Sequence, residues 1–163
     1  MLVCAVDPGS IRCGYAAIRV VGHDLVYVDA GVITAPAGWP VYRRLVQLEA
    51  DLVEWCNEIN ANKEPCETVL AAVESGFVFG RQIGATVSSA ARGVAIVTMA
   101  KVFGAEVREY APKTVKKSVC GTGNAEKKHV AAFVQKLLGL QRTPEPDVGD
   151  ALGIAVTRAR DNR

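Results

Sequence analysis

The sequence lacks the features of a membrane or secreted protein. None of its apolar runs reaches the ~20 residues that a bilayer-spanning helix needs. Its N-terminus has neither the basic start nor the small-residue cleavage site of a secretory signal. The chain has 163 residues, half of them apolar, which is enough for one domain with a sizeable core. We therefore expect a single domain over residues 1–163 that contacts no membrane and works in the cytoplasm.

Paired cysteines and a nucleotide-binding glycine loop are also missing. The five cysteines are an odd number, and no two of them have CxxC spacing. They lie mostly in apolar segments, which indicates reduced thiols in the core and argues against a zinc site. The GxxxxGK[ST] pattern of P-loops does not occur. These absences argue against a disulfide-stabilised secreted domain and against a P-loop enzyme.

Charge is unevenly distributed along the chain. Residues 1–100 contain 7 Lys/Arg and 10 Asp/Glu, whereas residues 101–163 contain 12 Lys/Arg and 7 Asp/Glu. The net charge of +2 therefore combines a slightly acidic first part with a basic second part. A basic region suits a polyanionic partner such as nucleic acid, although many solvated surfaces are mildly basic as well.

Apolar periodicity predicts five strands and five helices, without internal repeats or linkers. The predicted strands are residues 2–7, 13–21, 25–33, 68–74 and 105–111. The predicted helices are residues 41–59, 83–102, 112–119, 125–138 and 147–160. Because tight turns join the first three strands, these must be antiparallel, whereas the later strands follow helices and are expected to be parallel. The pattern predicts an α/β fold with a mixed five-stranded sheet flanked by helices.

Four carboxylates stand out against this pattern. Asp7 and Glu74 each end a strand that is apolar enough to be central, so parallel pairing of the two strands would bring both to one sheet edge. Asp147 and Asp150 share one face of the last helix, although they could instead cap it or complement its dipole. Converging carboxylates repel one another unless cations lie between them. Two Mg²⁺ ions ~3.5–4 Å apart can hold a phosphodiester, so the spacing indicates a candidate hydrolytic metal site.

Seven motifs occur in order over nearly the whole chain. They are VDPGS with Gly14-Tyr15, Glu74 followed by Phe77, Ala91-Arg92-Gly93-Val94-Ala95, Glu109-Tyr110-Ala111-Pro112, Val115-Lys116, Gly121-x-Gly123-x-Ala125-Glu126-Lys127, and Asp147-x-x-Asp150-Ala151-Leu152. Together they resemble the RuvC family of Holliday-junction resolvases. The resemblance implies an RNase H-like fold and a homodimeric crossover junction endodeoxyribonuclease that depends on Mg²⁺ or Mn²⁺. Such an enzyme makes paired symmetric nicks in a four-way DNA junction, leaving 5′-phosphate and 3′-hydroxyl ends.

The resemblance also implies roles for individual residues. It makes metal ligands of the four carboxylates, in a form of the site without the histidine that some relatives carry near the final pair. Phe77 matches an aromatic residue that stacks on bases at the crossover, with Phe79 as a second candidate and Arg81 as a nearby cation. Relatives often have Glu-Gln and then Lys-Asn in this loop, whereas this chain has Glu74-Ser75 and Gly80-Arg81. This departure leaves the base preference open.

The basic second part contains the implied phosphate contacts. Lys116 and Lys127 match family lysines that contact backbone phosphates, and Lys117 and Lys128 add charge beside them. Solvated surface is the alternative for each lysine. The segment GTGNAEKK resembles a glycine-rich turn into a helix, with Asn124 as the predicted N-cap. Free N–H groups at such a turn would suit a phosphate.

The predicted helix 83–102 is rich in small residues. In the family this helix forms the dimer interface, and burial against the protein's own sheet is the alternative; both can hold on opposite faces.

The family also implies a partnership with the branch-migration complex RuvAB. Three other functions remain open: a non-catalytic junction-binding protein, an RNase H-like nuclease on RNA–DNA hybrids, and a sugar-kinase-type fold. The last needs two such domains, and 163 residues leave room for one.

Overall fold

The fold comes from a computed structural model that describes residues 1–76 and 83–161, the side chains of 83–85 excepted. Phe77, Phe79 and Arg81, the predicted base-stacking and cationic residues, lie outside this part. The strands are β1 (Leu2–Asp7), β2 (Arg12–Val21), β3 (Asp24–Thr34), β4 (Val69–Glu74) and β5 (Val107–Tyr110). The helices are α1 (Val41–Ala61), α2 (Ile83–Phe103), α3 (Pro112–Cys120), α4 (Lys127–Leu137) and α5 (Pro146–Arg160). Their order along the chain is the predicted one.

The five strands form one mixed sheet in the order β3-β2-β1-β4-β5. Strand β2 pairs antiparallel with both β1 and β3, and the two-residue turn Gly22-His23 closes the second of these hairpins. Gly22 has φ +60°, which suits glycine at such a turn. Strands β4 and β5 follow in parallel with β1. The predicted arrangement of three antiparallel and two parallel strands is therefore confirmed.

Helices cover both faces of the sheet, which explains why β1 is apolar throughout. Val3 and Ala5 lie in a core that includes residues of α3, α4 and α5. Cys4 and Val6 lie in a second core, on the opposite face, with residues of α1 and α2. A central strand that is buried on both faces has no position left for a polar side chain until it ends. In β1 that end is Asp7.

The predicted N-cap Asn124 is wrong, and the alternative that Asp147 caps the last helix is excluded. The N-cap of α4 is Glu126, so Asn124 lies before the helix, where its backbone N–H donates to Thr122 Oγ1 over 3.4 Å. The N-cap of α5 is Glu145, because Pro146 takes the first helical position that proline favours. Asp147 is therefore not a cap but a residue of the first turn.

The prediction of buried thiols holds for three of the five cysteines. Cys4, Cys13 and Cys56 are buried, Cys120 is partly exposed and Cys66 is exposed. Cys66 lies in the connection between α1 and β4 with φ +61°, where the chain passes over the surface. No helix in the described part is both long enough and apolar enough to cross a bilayer.

Candidate active site

The sheet brings Asp7 and Glu74 to the same edge. Strand β1 pairs in parallel with β4, with Val6 opposite Val73, so the next residue of each strand is a carboxylate. Asp7 also pairs with Gly14 of β2, and Glu74 pairs with Tyr110 of β5. Each acid is thus held by a ladder pair with one neighbouring strand. This arrangement is the one that the two apolar strands predicted.

Helix α5 adds the second pair of carboxylates, and Gly14 allows it to come close. A Cβ atom at Gly14 would lie 2.2 Å from the backbone oxygen of Asp147, so only glycine leaves room for this contact. The first turn of α5 therefore rests directly on β2. Asp147 and Asp150 follow on one side of that helix, facing the ends of the strands.

The carboxylates disfavour one another's charge. Burial raises the pKa of Asp7 to about 6, and the charges of Asp150 and Asp147 add to the rise while Lys127 opposes it. Burial likewise raises the pKa of Glu74 to about 7, with contributions from the charges of Asp7 and Asp150. Such crowding of partly buried acids is typical of a site that receives cations or takes part in catalysis.

Each carboxylate of α5 has a basic partner. Lys127 Nζ lies 2.5 Å from Asp150 Oδ2, which provides the partner that an aspartate beside the buried face requires. Arg12 Nε lies 2.5 Å from Asp147 Oδ2, and its Nη2 lies 3.1 Å from Glu145 Oε2. Sequence analysis missed Arg12. Its position at the start of β2, the strand antiparallel to β1, was the signal that placed it at the same edge.

The predicted DNA-binding lysines divide into two groups. Lys116 and Lys127 line a cavity together with Glu74 and Asp150. Lys117 is exposed and does not line this cavity. Lys128 is also exposed and forms an ion pair with Glu126 over 2.9 Å. The structure therefore brings two of the four lysines to the carboxylates.

Arg92 holds the chain just after β4. Its Nη1 donates to the backbone oxygen of Gly76 over 3.4 Å and lies 3.5 Å from Glu109 Oε2. Arg92 thus connects α2, the residues after Glu74 and strand β5. The ARGVA motif contains it, but the sequence offered no reason to assign it this contact.

The donor set suits a hard divalent cation, although its side chains are not yet gathered around one point. Within residues 1–76 and 83–161, no three His, Cys, Asp or Glu side chains lie close enough to share an ion. Arg12 and Lys127 instead hold the two aspartates of α5. Four carboxylates offer only oxygen ligands, which Mg²⁺ and similar ions prefer. Exchange of the two basic partners for metal ions would relieve the mutual repulsion of the acids.

Known proteins resemble this chain over almost its whole length. The family model for "Crossover junction endodeoxyribonuclease RuvC" matches residues 3–158. The protein of that name from Chlorobaculum parvum is 41% identical over 157 residues, covering 95% of this chain and 79% of the relative. These matches include the segments that contain all four carboxylates.

Solved structures agree with the sequence relatives. RuvC of Thermus thermophilus, in complex with a Holliday junction substrate, superposes with a TM-score of 0.84 at 32% identity, covering all of this chain and 95% of that one. The Holliday junction resolvase of fowlpox virus has a TM-score of 0.56 at 12% identity, which shows a shared fold alone. The fold is therefore RNase H-like. The family consists of nucleases that depend on a divalent metal ion. The chain belongs to the RuvC family of crossover junction endodeoxyribonucleases.

Proposed function

We propose that this protein resolves four-way DNA junctions by cutting two opposed strands symmetrically, in recombination and repair. Hydrolysis of each phosphodiester leaves a 5′-phosphate and a 3′-hydroxyl that a ligase can seal. The observation that carries the proposal is electrostatic: the charges of Asp147 and Asp150 act on Asp7, those of Asp7 and Asp150 act on Glu74, and Lys116 and Lys127 lie beside them. The T. thermophilus relative, solved with a Holliday junction substrate, supports the same substrate here.

The metal ligands in this proposal are Asp7, Glu74, Asp147 and Asp150, which together hold two divalent ions. Mg²⁺ is the expected ion because all the ligands are carboxylates, and Mn²⁺ is the expected substitute. When bound at these four residues, such ions would activate a water for attack and would stabilise the leaving 3′ oxygen. The chain's own contribution is to hold the acids at the ends of β1 and β4 and at the start of α5, and to release the α5 pair from its basic partners.

The DNA contacts divide by their distance from the cut. Lys116 and Lys127 line the cavity that contains Glu74 and Asp150, which supports contacts to phosphates near the scissile bond. Lys117 and Lys128 are exposed and would contact the backbone farther away. Phe77 is the proposed base-stacking residue and Arg81 the cation beside it; both lie outside the described residues.

The outward face of α2 supports a homodimer. Ala91 and Met99 of this helix are buried in the protein's own core, whereas Ala90, Gly93 and Val97 are exposed on another face. Small side chains let two helices approach closely. A two-fold dimer would present one site to each of the two strands that must be cut.

We further propose that the single domain 1–163 works in the cytoplasm with the RuvAB complex.

Cleavage of a synthetic four-way junction tests the proposal. Its comparison substrates are plain duplex DNA of the same sequence and an RNA–DNA hybrid, each with Mg²⁺ or with EDTA. We expect paired symmetric nicks in the junction alone, and only with Mg²⁺. Tight junction binding without nicks would favour a non-catalytic junction-binding protein. Cutting of the hybrid would retain the metal site and replace the substrate.

A further inference from the structure

A pocket beside the carboxylates has no role in the proposed metal site. It lies between the turn after β1, the start of β2, the first turn of α1 and the early part of α2. Its polar side chains are Ser10, Arg12, Arg44 and Ser88. Ile11 and Val41 form part of an apolar wall. No Asp or Glu from the described ranges lines the pocket, so its chemistry suits an anion.

Arg44 is the unusual residue of this pocket. Arg44 is only 9% exposed, and its Nε has no hydrogen-bond partner among the described residues. Across residues 1–76 and 83–161 no carboxylate or carbonyl accepts a hydrogen bond from its guanidinium. Arginine keeps its charge in proteins, and a buried charge without a partner is unfavourable. An anion in the pocket would supply the missing partner.

The pocket and the lysine cavity lie on opposite sides of the same sheet edge. The pocket includes the turn directly after β1 and belongs to the face that α1 and α2 cover. The lysine cavity includes Glu74 at the end of β4 and belongs to the face of α3, α4 and α5. Glu74 and Asp150 line the lysine cavity, and Asp147 is paired with Arg12, which lines the pocket. A DNA strand that crosses this edge would therefore meet a basic site before and after the acids.

We infer that Arg44, with the hydroxyl groups of Ser10 and Ser88, binds a phosphodiester of the junction DNA on the α1/α2 side of the active site. The inference rests on the proposed function. The guanidinium and the hydroxyls donate to phosphate oxygens, and the apolar wall contacts the adjacent deoxyribose. A free phosphate ion would leave that wall without a contact, so the pocket fits a phosphate within a DNA strand better.

Arg44→Met tests this inference, with Arg43→Met as the matched control. Arg43 is the exposed neighbour, and its guanidinium stacks over the Trp39 ring at 4.2 Å. Both changes are made in Asp7→Asn protein with Mg²⁺, so that binding of a labelled four-way junction is measured without cutting. We expect Arg44→Met to bind about tenfold more weakly. The slope of log affinity against log salt should fall by roughly 0.9, the loss of one phosphate contact. Arg43→Met should leave both values unchanged.

Urea unfolding without DNA separates a binding role from a structural one. An unpaired buried charge replaced by an apolar side chain of similar length should leave the unfolding midpoint equal or higher. If both the unfolding midpoint and the junction affinity fall in Arg44→Met, the affinity of Arg44→Lys is measured next. Affinity close to wild type in Arg44→Lys supports the inference, and affinity as low as in Arg44→Met overturns it. Unchanged affinity and salt slope in Arg44→Met also overturn it. If inorganic phosphate then raises the midpoint of wild type more than that of Arg44→Met, the pocket binds a free anion and not DNA. Failure of the proposed function would be seen separately, as wild-type protein that does not cut the junction.

Discussion

The strand carboxylates and the helix carboxylates of the candidate site differ in how they are held. Asp7 and Glu74 are fixed through the sheet ladder, and neither forms an ion pair with a described residue. Asp147 and Asp150 depend on how α5 packs over Gly14, and each is paired with a basic side chain. The backbone of the strand pair is therefore fixed and its negative charges are unpaired within the described residues. The charges of the helix pair are instead neutralised by Arg12 and Lys127, and the position of that pair depends on helix packing.

This difference explains how four acids can lie near one another when no metal ion neutralises them. Raised pKa values of about 6 and 7 show that the strand acids resist ionisation where they lie. The helix acids do not add fully to that repulsion because Arg12 and Lys127 accompany them. Four substitutions distinguish the two pairs, from the largest expected effect to the smallest.

Asp7→Asn should abolish cleavage, because it removes the charge of a proposed metal ligand in the strand pair. We expect the cleavage rate of a four-way junction to fall at least about 10³-fold, since metal ions supply several kcal/mol of transition-state stabilisation. Junction binding should remain, because an asparagine repels phosphates less. Asp24→Asn, at an exposed hairpin position, is the control and should cut normally. Full activity in Asp7→Asn would remove the strand pair from the metal site.

Glu74→Gln should change how the metal-free protein responds to pH. Because the folded pKa of Glu74 is raised from 4.5 to about 7, its contribution to stability is fully present below about pH 4.5 and is lost as pH rises toward 7. In EDTA at pH 8, Glu74→Gln should therefore be more stable than wild type by on the order of 2 kcal/mol. At pH 4.5 the two proteins should be equal.

Urea unfolding from pH 4.5 to 8 measures this effect, and Mg²⁺ provides its internal control. Added Mg²⁺ should stabilise wild type more than Glu74→Gln and so reverse their order at pH 8. The opposite pH effect of Glu67, whose pKa the Arg19 partner lowers to about 2, lies below this range. If the wild-type protein becomes more stable between pH 5 and 7 in EDTA, the pKa of Glu74 is not raised in the folded protein.

Gly14→Ala should disturb the helix pair directly and replaces no acid, although Gly14 is also the ladder partner of Asp7. The new Cβ would meet the backbone oxygen of Asp147, so the first turn of α5 must shift. We expect a loss of about 2 kcal/mol in the free energy of unfolding and weaker Mg²⁺ binding. Gly38→Ala, at a turn with open space around it, should change neither value. Urea unfolding and a Mg²⁺ titration followed by thermal melting measure both; equal results for the two variants would show that the close contact at Gly14 is unimportant.

Lys127→Gln should have the smallest effect, and its direction is informative. Lys127 competes with a cation for Asp150, but its side chain is 61% exposed, so the ion pair is weak. Without DNA we expect Mg²⁺ to bind about threefold more tightly to the variant, by calorimetric titration. The neighbouring Lys128→Gln, paired with Glu126, should bind Mg²⁺ as wild type does. Weaker Mg²⁺ binding to Lys127→Gln would mean that the lysine helps to build the metal site.

Much of the site could be read from the sequence because its rigid half follows from simple rules. An apolar strand that ends in a carboxylate, repeated in a second strand, predicts two acids at one edge of a parallel pair. The partners of the α5 aspartates could not be predicted in the same way. Arg12 reaches Asp147 across 135 positions of sequence, a contact with no local pattern. The caps of α4 and α5 were missed because Glu126 and Glu145 are not typical N-caps.

The sequence by itself determined the order of the elements, the direction of the strands and the identity of the four carboxylates. Apolar periodicity and tight turns are local properties, so they can be read without knowing what packs against them. Tertiary structure alone decided which cations accompany Asp147 and Asp150 and which lysines reach the cavity. It also decided that Arg44 is buried with no partner for its Nε within residues 1–76 and 83–161. These outcomes depend on how α1, α4 and α5 pack against the sheet, and long-range packing brings together side chains that share no sequence neighbourhood.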